Sequence, residues 1–209
     1  MDIGCQGMEL EMGESLKIAL IVNPRAGGNP LRKARDFTLA CSKVGLNLQP
    51  DRVFETSGPG DGTVIASKLV GSRIDVIVVC GGDGTINEVL QAIAGTGTRL
   101  ACLPAGTANV LARELRLSSN PDDVAGLIAS GSARQVSVGL AEKDGWKRYF
   151  LLMAGIGLDA RMINRVRPEI KRTFGVGAYL LAAAELLSDW DPESFILKFN
   201  GREENEESR

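Results

Sequence analysis

The chain has 209 residues, 44% hydrophobic and 24% charged, which suits a soluble globular protein with one good-sized domain or one plus part of another. A net charge of −2 argues against non-specific nucleic-acid binding, so no nucleic-acid partner is expected. There is no histidine, which excludes a Ser–His–Asp triad, a Cys–His pair and histidine metal ligands. Proton transfer is left to carboxylates, Lys, Tyr or Cys.

The four cysteines, Cys5, Cys41, Cys80 and Cys102, are scattered and form no CxxC pair. Cys80 and Cys102 fall in apolar strand-like runs and read as small core residues. This usage suits a reducing cytosol, and the expected location is cytoplasmic. Residues 1–15 are polar and glycine-rich, lack the pattern of a signal peptide and are expected to be flexible. Met8 or Met12 is an equally good start on sequence grounds. No stretch approaches the length of a transmembrane span.

Leu16 to Val22 reads as a strand that runs into Asn23-Pro24-Arg25-Ala26-Gly27-Gly28-Asn29-Pro30. A basic helix follows, with Leu31, Ala34, Phe37 and Leu39 as its apolar positions. Asn23 and Arg25 have side chains compatible with contacting a nucleotide, although an ordinary strand-to-helix loop is the plainer reading. Leu46 to Glu55 holds a second strand ending at Thr56-Ser-Gly-Pro-Gly-Asp-Gly62, and Thr63 to Val70 reads as a helix. The Gly-Pro-Gly-Asp-Gly run forms turns in any protein.

The chain is organised around the next stretch, Ile74 to Glu88. Ile74 to Cys80 is an apolar, β-branched run expected to be a buried parallel strand. It ends in Gly81-Gly82-Asp83-Gly84-Thr85, and Ile86, Val89, Leu90 and Ile93 then recur at helical spacing. A glycine turn here lets the backbone press against a ligand. The helix N-terminus behind it favours an anion, the expected one being a phosphate chain. A carboxylate inside such a cradle is repulsive unless Mg²⁺ or a proton-transfer role offsets it. The bland alternative is a tight turn capped by Thr85.

Arg99 to Leu103 is a further strand, broken at Pro104-Ala-Gly106-Thr107-Ala-Asn109, with a helix from Val110 to Leu115 and another from Pro121 to Ala129. Strands alternating with helices predict an open, mostly parallel sheet covered on both faces. Ligands of such sheets bind beyond the carboxyl ends of strands. Convergence of Asn23–Gly27, Gly81–Glu88 and Gly106–Asn109 on one rim is therefore the central expectation. After Gly131 the texture changes. Gln135–Gly139 and Trp146–Met153 read as strands joined through Glu142–Gly145. A basic segment from Arg161 to Arg172, an apolar helix from Tyr179 to Leu187, a strand from Phe195 to Phe199 and a polar, disordered tail complete the chain. The expected division is 1–15 flexible, 16–133 nucleotide-binding, 134–200 a partial β-sandwich and 201–209 disordered.

Four motifs occur in order: Asn23-Pro-x-x-Gly27, Gly81-Gly-Asp-Gly-Thr85, Leu103-Pro-x-Gly-Thr-x-Asn109 and Gly155-Ile-Gly-Leu-Asp-Ala160. Together they resemble the diacylglycerol kinase catalytic domain family, in its branch of bacterial lipid kinases with sphingosine kinase relatives. The resemblance covers roughly Leu16 to Phe199. It implies a three-layer α/β/α domain like that of phosphofructokinase and NAD kinase, followed by a β-sandwich, with the lipid site between. It implies transfer of the ATP γ-phosphoryl group to the hydroxyl of diacylglycerol or a similar long-chain alcohol, with Mg²⁺, at a membrane surface that the protein meets peripherally. Carried over by position, ATP would be contacted by Asn23, Pro24, Arg25, Ala26, Gly27, Thr56, Gly82, Asp83, Gly84, Thr85, Ile86, Asn87, Glu88 and Thr107. Asp83 would serve the phosphates as base or through Mg²⁺. Asp159 would meet the substrate head group.

Two departures from the family pattern stand out. Val110 follows Asn109 where the family has Asp or Asn. The family's later Asp-Gly-Glu segment, assigned to the catalytic base and metal, does not occur, so the chain reads as truncated at its carboxyl end. A catalytically inactive nucleotide-binding remnant is the alternative reading. NAD kinase, which shares Gly-Gly-Asp-Gly-Thr, is disfavoured by the Leu103–Asn109 and Gly155–Ala160 motifs. A homodimer is left open.

Overall fold

A computed structural model of the chain describes residues 16–155 and two later strands. The first apolar run forms β1, Ile18–Val22, with every residue buried. Beside it lie β2, Val53–Glu55, and β3, Val76–Gly81, and beyond β3 lies β4, Arg99–Pro104. The order β2-β1-β3-β4 is parallel throughout, with Leu20 opposite both Val53 and Val78, and Val78 opposite Ala101. Parallel neighbours need crossovers, and helices supply them. α1, Pro30–Lys43, joins β1 to β2; α2, Asp61–Gly71, joins β2 to β3; α3, Asp83–Ile93, joins β3 to β4. After β4 come α4, Val110–Glu114, and α5, Pro121–Ala129.

Alternate residues of the sheet feed two cores. Ile18, Leu20, Val78 and Cys80 pack with Phe37 and Cys41 of α1 and Val124 and Ile128 of α5. Ala19, Ile21, Ile77 and Val79 pack with Ala66 and Leu69 of α2 and Val89 and Ile93 of α3. This is the expected three-layer α/β/α arrangement. The buried stripe of α1 is Ala34, Phe37, Ala40 and Cys41. Leu39, one of the apolar positions noted in the sequence, is 64% exposed, because it stands two residues and so about 200° around the helix from Phe37.

The compact units are Met1–Leu152 and Met153–Arg209, a division later in the chain than the expected 133/134. The first unit includes an antiparallel hairpin, β5, Gly139–Lys143, and β6, Trp146–Phe150. The strand expected at Gln135–Gly139 sits further along. Asp144 and Gly145 alone form the turn, at φ 49 and 80, so pairing continues to Lys143 opposite Trp146. Two consecutive left-handed residues match the strand twist that a tight hairpin needs.

In the second unit β7, Ser194–Phe199, pairs antiparallel with β8, Arg202–Glu207. β8 corrects the expectation of a disordered tail from 201. Phe199 lies opposite Arg202, and the sequence between them is Asn200-Gly201, a dipeptide that favours two-residue hairpin loops despite the acidic strand after it. Asp159, the basic segment Arg161–Arg172 and the predicted helix Tyr179–Leu187 lie outside the described residues, as do residues 1–15.

Candidate functional site

β1, β3 and β4 are neighbours and parallel, so the loops leaving their carboxyl ends open side by side on one rim. Backbone bonds stitch these loops together. Asn23 N–H donates to Cys80 O at 2.9 Å, Gly28 N–H to Ala105 O at 2.8 Å, and Ala105 N–H to Gly81 O at 2.8 Å. The Asn23 side chain ties the first loop to the second, donating from Nδ2 to Thr85 Oγ1 at 3.0 Å, while its Oδ1 accepts from Arg25 N–H at 3.0 Å. Lys33 Nζ donates to Pro104 O at 2.5 Å, linking α1 to the end of β4. A methyl placed on Gly27 would stand 3.6 Å from Thr107 Oγ1, which puts those two loops in near contact.

The β3–α3 and β4–α4 turns come closest where Gly82 meets Gly106. A Cβ added to Gly106 would lie 2.5 Å from Gly82 Cα and 2.8 Å from Asn109 Oδ1. Asn109 holds its own turn closed. Its Oδ1 accepts from Gly106 N–H at 2.9 Å and its Nδ2 donates to Gly106 O at 2.8 Å, with the backbone left-handed at φ 47. At α3 the preceding Gly82 offers no side-chain cap. The first amides of that helix therefore have no acceptor within the helix and face the rim. Such a glycine turn in front of open helix amides suits an anionic ligand.

The acidic residues of α3 point to the flanking helices. Asp83 accepts from Val110 N–H and Leu111 N–H of α4, at 3.1 Å each, one amide on each carboxylate oxygen. Glu88 accepts from Gly60 N–H and Gly62 N–H of α2, at 2.9 Å each, again one on each oxygen. Ile86 is only 3% exposed and faces the core, so its side chain does not line the rim. Asn87 turns toward the hairpin, its Oδ1 accepting from Arg148 Nη2 at 2.7 Å. One turn further, Gln91 makes a reciprocal pair with Tyr149, donating to Tyr149 O and accepting from Tyr149 N–H, both at 2.9 Å. Neither Gln91 nor Arg148 was singled out from sequence. The available signal was the spacing of Asn87 and Gln91, which sets both amides on one helix face.

Thr56 lies at the end of β2, 8% exposed, with its amide on Val22 O at 2.9 Å, beside the start of the Asn23 loop. Asn23 to Gly27, Thr56, Gly82 to Thr85 and Thr107 are thus brought to one rim, and Asp159 lies outside the described residues. The charges of the rim reach the thiols beneath it. Burial, and secondarily the negative charge of Asp83, pushes Cys102 up to about 12. Burial raises Cys80 to about 11, with Lys33 opposing the shift. Both stay protonated at neutral pH and serve as packing groups, not nucleophiles. Among the described residues no group of three or more His, Cys, Asp or Glu is placed to hold a metal.

The sequence model of the diacylglycerol kinase catalytic domain matches residues 17–141. A Mycobacterium tuberculosis protein named diacylglycerol kinase is 30% identical over 94% of this chain and 63% of its own length. A Staphylococcus aureus protein of the same name is 28% identical over 87% of this chain and 56% of its own. The chain thus spans less than two thirds of the curated relatives it matches. Among solved structures, a diacylglycerol kinase from Bacillus anthracis str. Sterne superposes with a TM-score of 0.63 at 28% identity, covering 92% of this chain and 61% of that one. The matched region holds β1 to β4 with all three rim loops, and the chain belongs to the diacylglycerol kinase catalytic domain family.

Proposed function

We propose that the chain is the nucleotide-binding part of an ATP-dependent lipid kinase that phosphorylates diacylglycerol or a similar long-chain alcohol. The observation that carries this is the union of three glycine-bearing turns on one rim, with the α3 amides open beside them. Phosphoryl transfer is mainly positioning and charge neutralisation, which backbone amides can supply. Asn23 and Thr85 brace the wall of the cradle, and Gly27, Thr56 and Thr107 lie along it. The lipid hydroxyl oxygen bonds to the γ-phosphorus as the bond to the β-bridging oxygen breaks, ADP leaves, and the hydroxyl proton passes to a base. In this reading Asp83, first residue of α3, takes that proton.

One carboxylate beside a triphosphate suits Mg²⁺, which takes most of its ligands from phosphates and water, and the ion would neutralise charge there. Asp83 would meet the ion in place of acting as the base, the two roles being alternatives for one carboxylate. The acceptor is a membrane lipid, so the reaction belongs at a membrane surface, reached from the cytoplasm by peripheral contact. Among the described residues no helix is long and apolar enough to cross a membrane.

A nucleotide-binding module without turnover is the second reading. What favours it is that both Asp83 oxygens are taken by α4 amides. The experiment is incubation of the chain with labelled ATP, Mg²⁺ and diacylglycerol in mixed micelles, beside titration with a non-hydrolysable ATP analogue. Labelled phosphatidic acid is the expected product. Analogue binding without product would select the second reading, and no binding at all would reject both.

A further inference from the structure

Helix α2 begins without a cap of its own. Its N-cap is Gly60, left-handed at φ 88, which has no side chain to offer. The open amides are satisfied from outside the helix by Glu88, whose two oxygens take Gly60 N–H and Gly62 N–H. The fit is close on every side. A Cβ on Gly62 would lie 2.8 Å from Glu88 Oε2 and 2.9 Å from Glu88 Cβ. Thr63 Oγ1 donates to Glu88 O at 2.8 Å, a third tie between the same two helices. The turn before α2 is closed separately, with Asp61 Oδ2 accepting from Ser57 N–H at 2.7 Å and Gly58 N–H at 3.2 Å. This bonding keeps the Asp61 carboxyl below its ordinary range, the Ser57 hydroxyl contributing most.

We propose that Glu88 is a positioning residue, a latch that fixes the Thr56–Gly60 turn against α3 and so sets the height of Thr56 at the nucleotide rim. It does so without touching the nucleotide. A carboxylate already seated on the α2 amides also closes that helix end to phosphate and leaves the Gly82–Thr85 turn as the open anion seat. The inference rests on the reading that ATP binds at this rim.

The test measures binding of a non-hydrolysable ATP analogue to the chain and its Glu88→Ala, Glu88→Gln and Thr56→Ala variants, well below their unfolding temperatures. Loss of both charge-assisted bonds in Glu88→Ala is expected to weaken binding about tenfold. Glu88→Gln, which keeps one acceptor, should recover part of it. If Glu88 works through Thr56, the Glu88→Ala/Thr56→Ala pair should bind little worse than either single variant, and the Mg²⁺ concentration for half-maximal binding should not move. Unchanged binding in Glu88→Ala would overturn the latch. A shifted Mg²⁺ requirement, or fully additive losses, would overturn it too, since Glu88 would then be acting on the metal–nucleotide itself. Gly62→Ala gives an independent reading. Its clash with the Glu88 carboxylate and Cβ should lower the unfolding temperature of the native chain and much less that of Glu88→Gly, which removes both atoms. Should the native chain bind no nucleotide, the functional reading falls, and the Gly62→Ala comparison alone decides whether the latch exists.

Discussion

At the scale of single residues, the rim depends on positions where nothing larger fits. Gly82 and Gly106 meet through backbone, and a Cβ on Gly106 at 2.5 Å from Gly82 Cα has no flexible side chain to push aside. The two turns must separate. Gly106→Ala should therefore cost about 1–3 kcal/mol, the usual range for overpacking. Analogue binding should fall further than that stability loss accounts for, and denaturant melts beside titration calorimetry check both. Asp83 caps α4, and one substitution can separate that contact from the catalytic role proposed for it. Asp83→Asn puts an N–H₂ group where one α4 amide now donates, and cap losses of about 1 kcal/mol lower Tm by about 2–4 °C in a chain of this size. If Asp83 also takes the acceptor proton, turnover should drop at least about a hundredfold. A Tm decrease with turnover intact would leave Asp83 as the α4 cap alone.

At the scale of elements, α3 is the organising piece. It sends Asp83 to α4, Glu88 to α2, and Asn87 and Gln91 to the hairpin. Gln91 imitates a neighbouring strand, pairing with both backbone groups of Tyr149. Gln91→Ala leaves Tyr149 N–H without its protein partner and Tyr149 O with only the long bond from Asn87 Nδ2 at 3.4 Å, a loss of about 1–3 kcal/mol confined to the hairpin. Amide exchange should show it as faster exchange at Tyr149 with β3 unchanged at Val78. α3 was legible in the sequence because a β-branched strand, a glycine turn and a 3.6-residue apolar period each announce it. The partners of its polar side chains were not. Glu88 lies in a run that resembles nucleotide contacts, and only the arrival of Gly60 and Gly62 from a distant segment shows what its carboxylate meets. The first strand of the hairpin was misplaced for a local reason. Val136 and Val138 alternate as a strand should, yet the Asp144-Gly145 turn dictates pairing from Gly139 onward.

At the scale of the whole molecule, two buried layers enclose a sheet whose interior holds neutral thiols. Burial is the main cause of the shifts, which take Cys41 and Cys80 from 9.0 to about 11 and Cys102 to about 12. The unfolded chain loses these protons first. Their contribution to stability is therefore whole below pH 9 and declines as pH rises toward 11 and 12. The urea midpoint should fall between pH 8.5 and about 10.5, and less steeply in Cys102→Ala. The same burial means that a thiolate-seeking reagent should label these three positions only after denaturant is added. The architecture was readable from alternation of strand and helix. The strand order β2-β1-β3-β4 was not, since nothing local in Ile18–Val22 says that its partners are β2 and β3.

That order bears on how the protein is made. β1 leaves the ribosome as Ile-Ala-Leu-Ile-Val and can complete its place only when β3 has followed, Ile18 waiting for Val76. At about 5–20 residues per second, the nascent chain carries this sticky segment unprotected for several seconds. Synonymous codons that slow translation between β1 and β3 should lengthen that interval and lower the soluble yield, and co-expressed trigger-type chaperones should restore it.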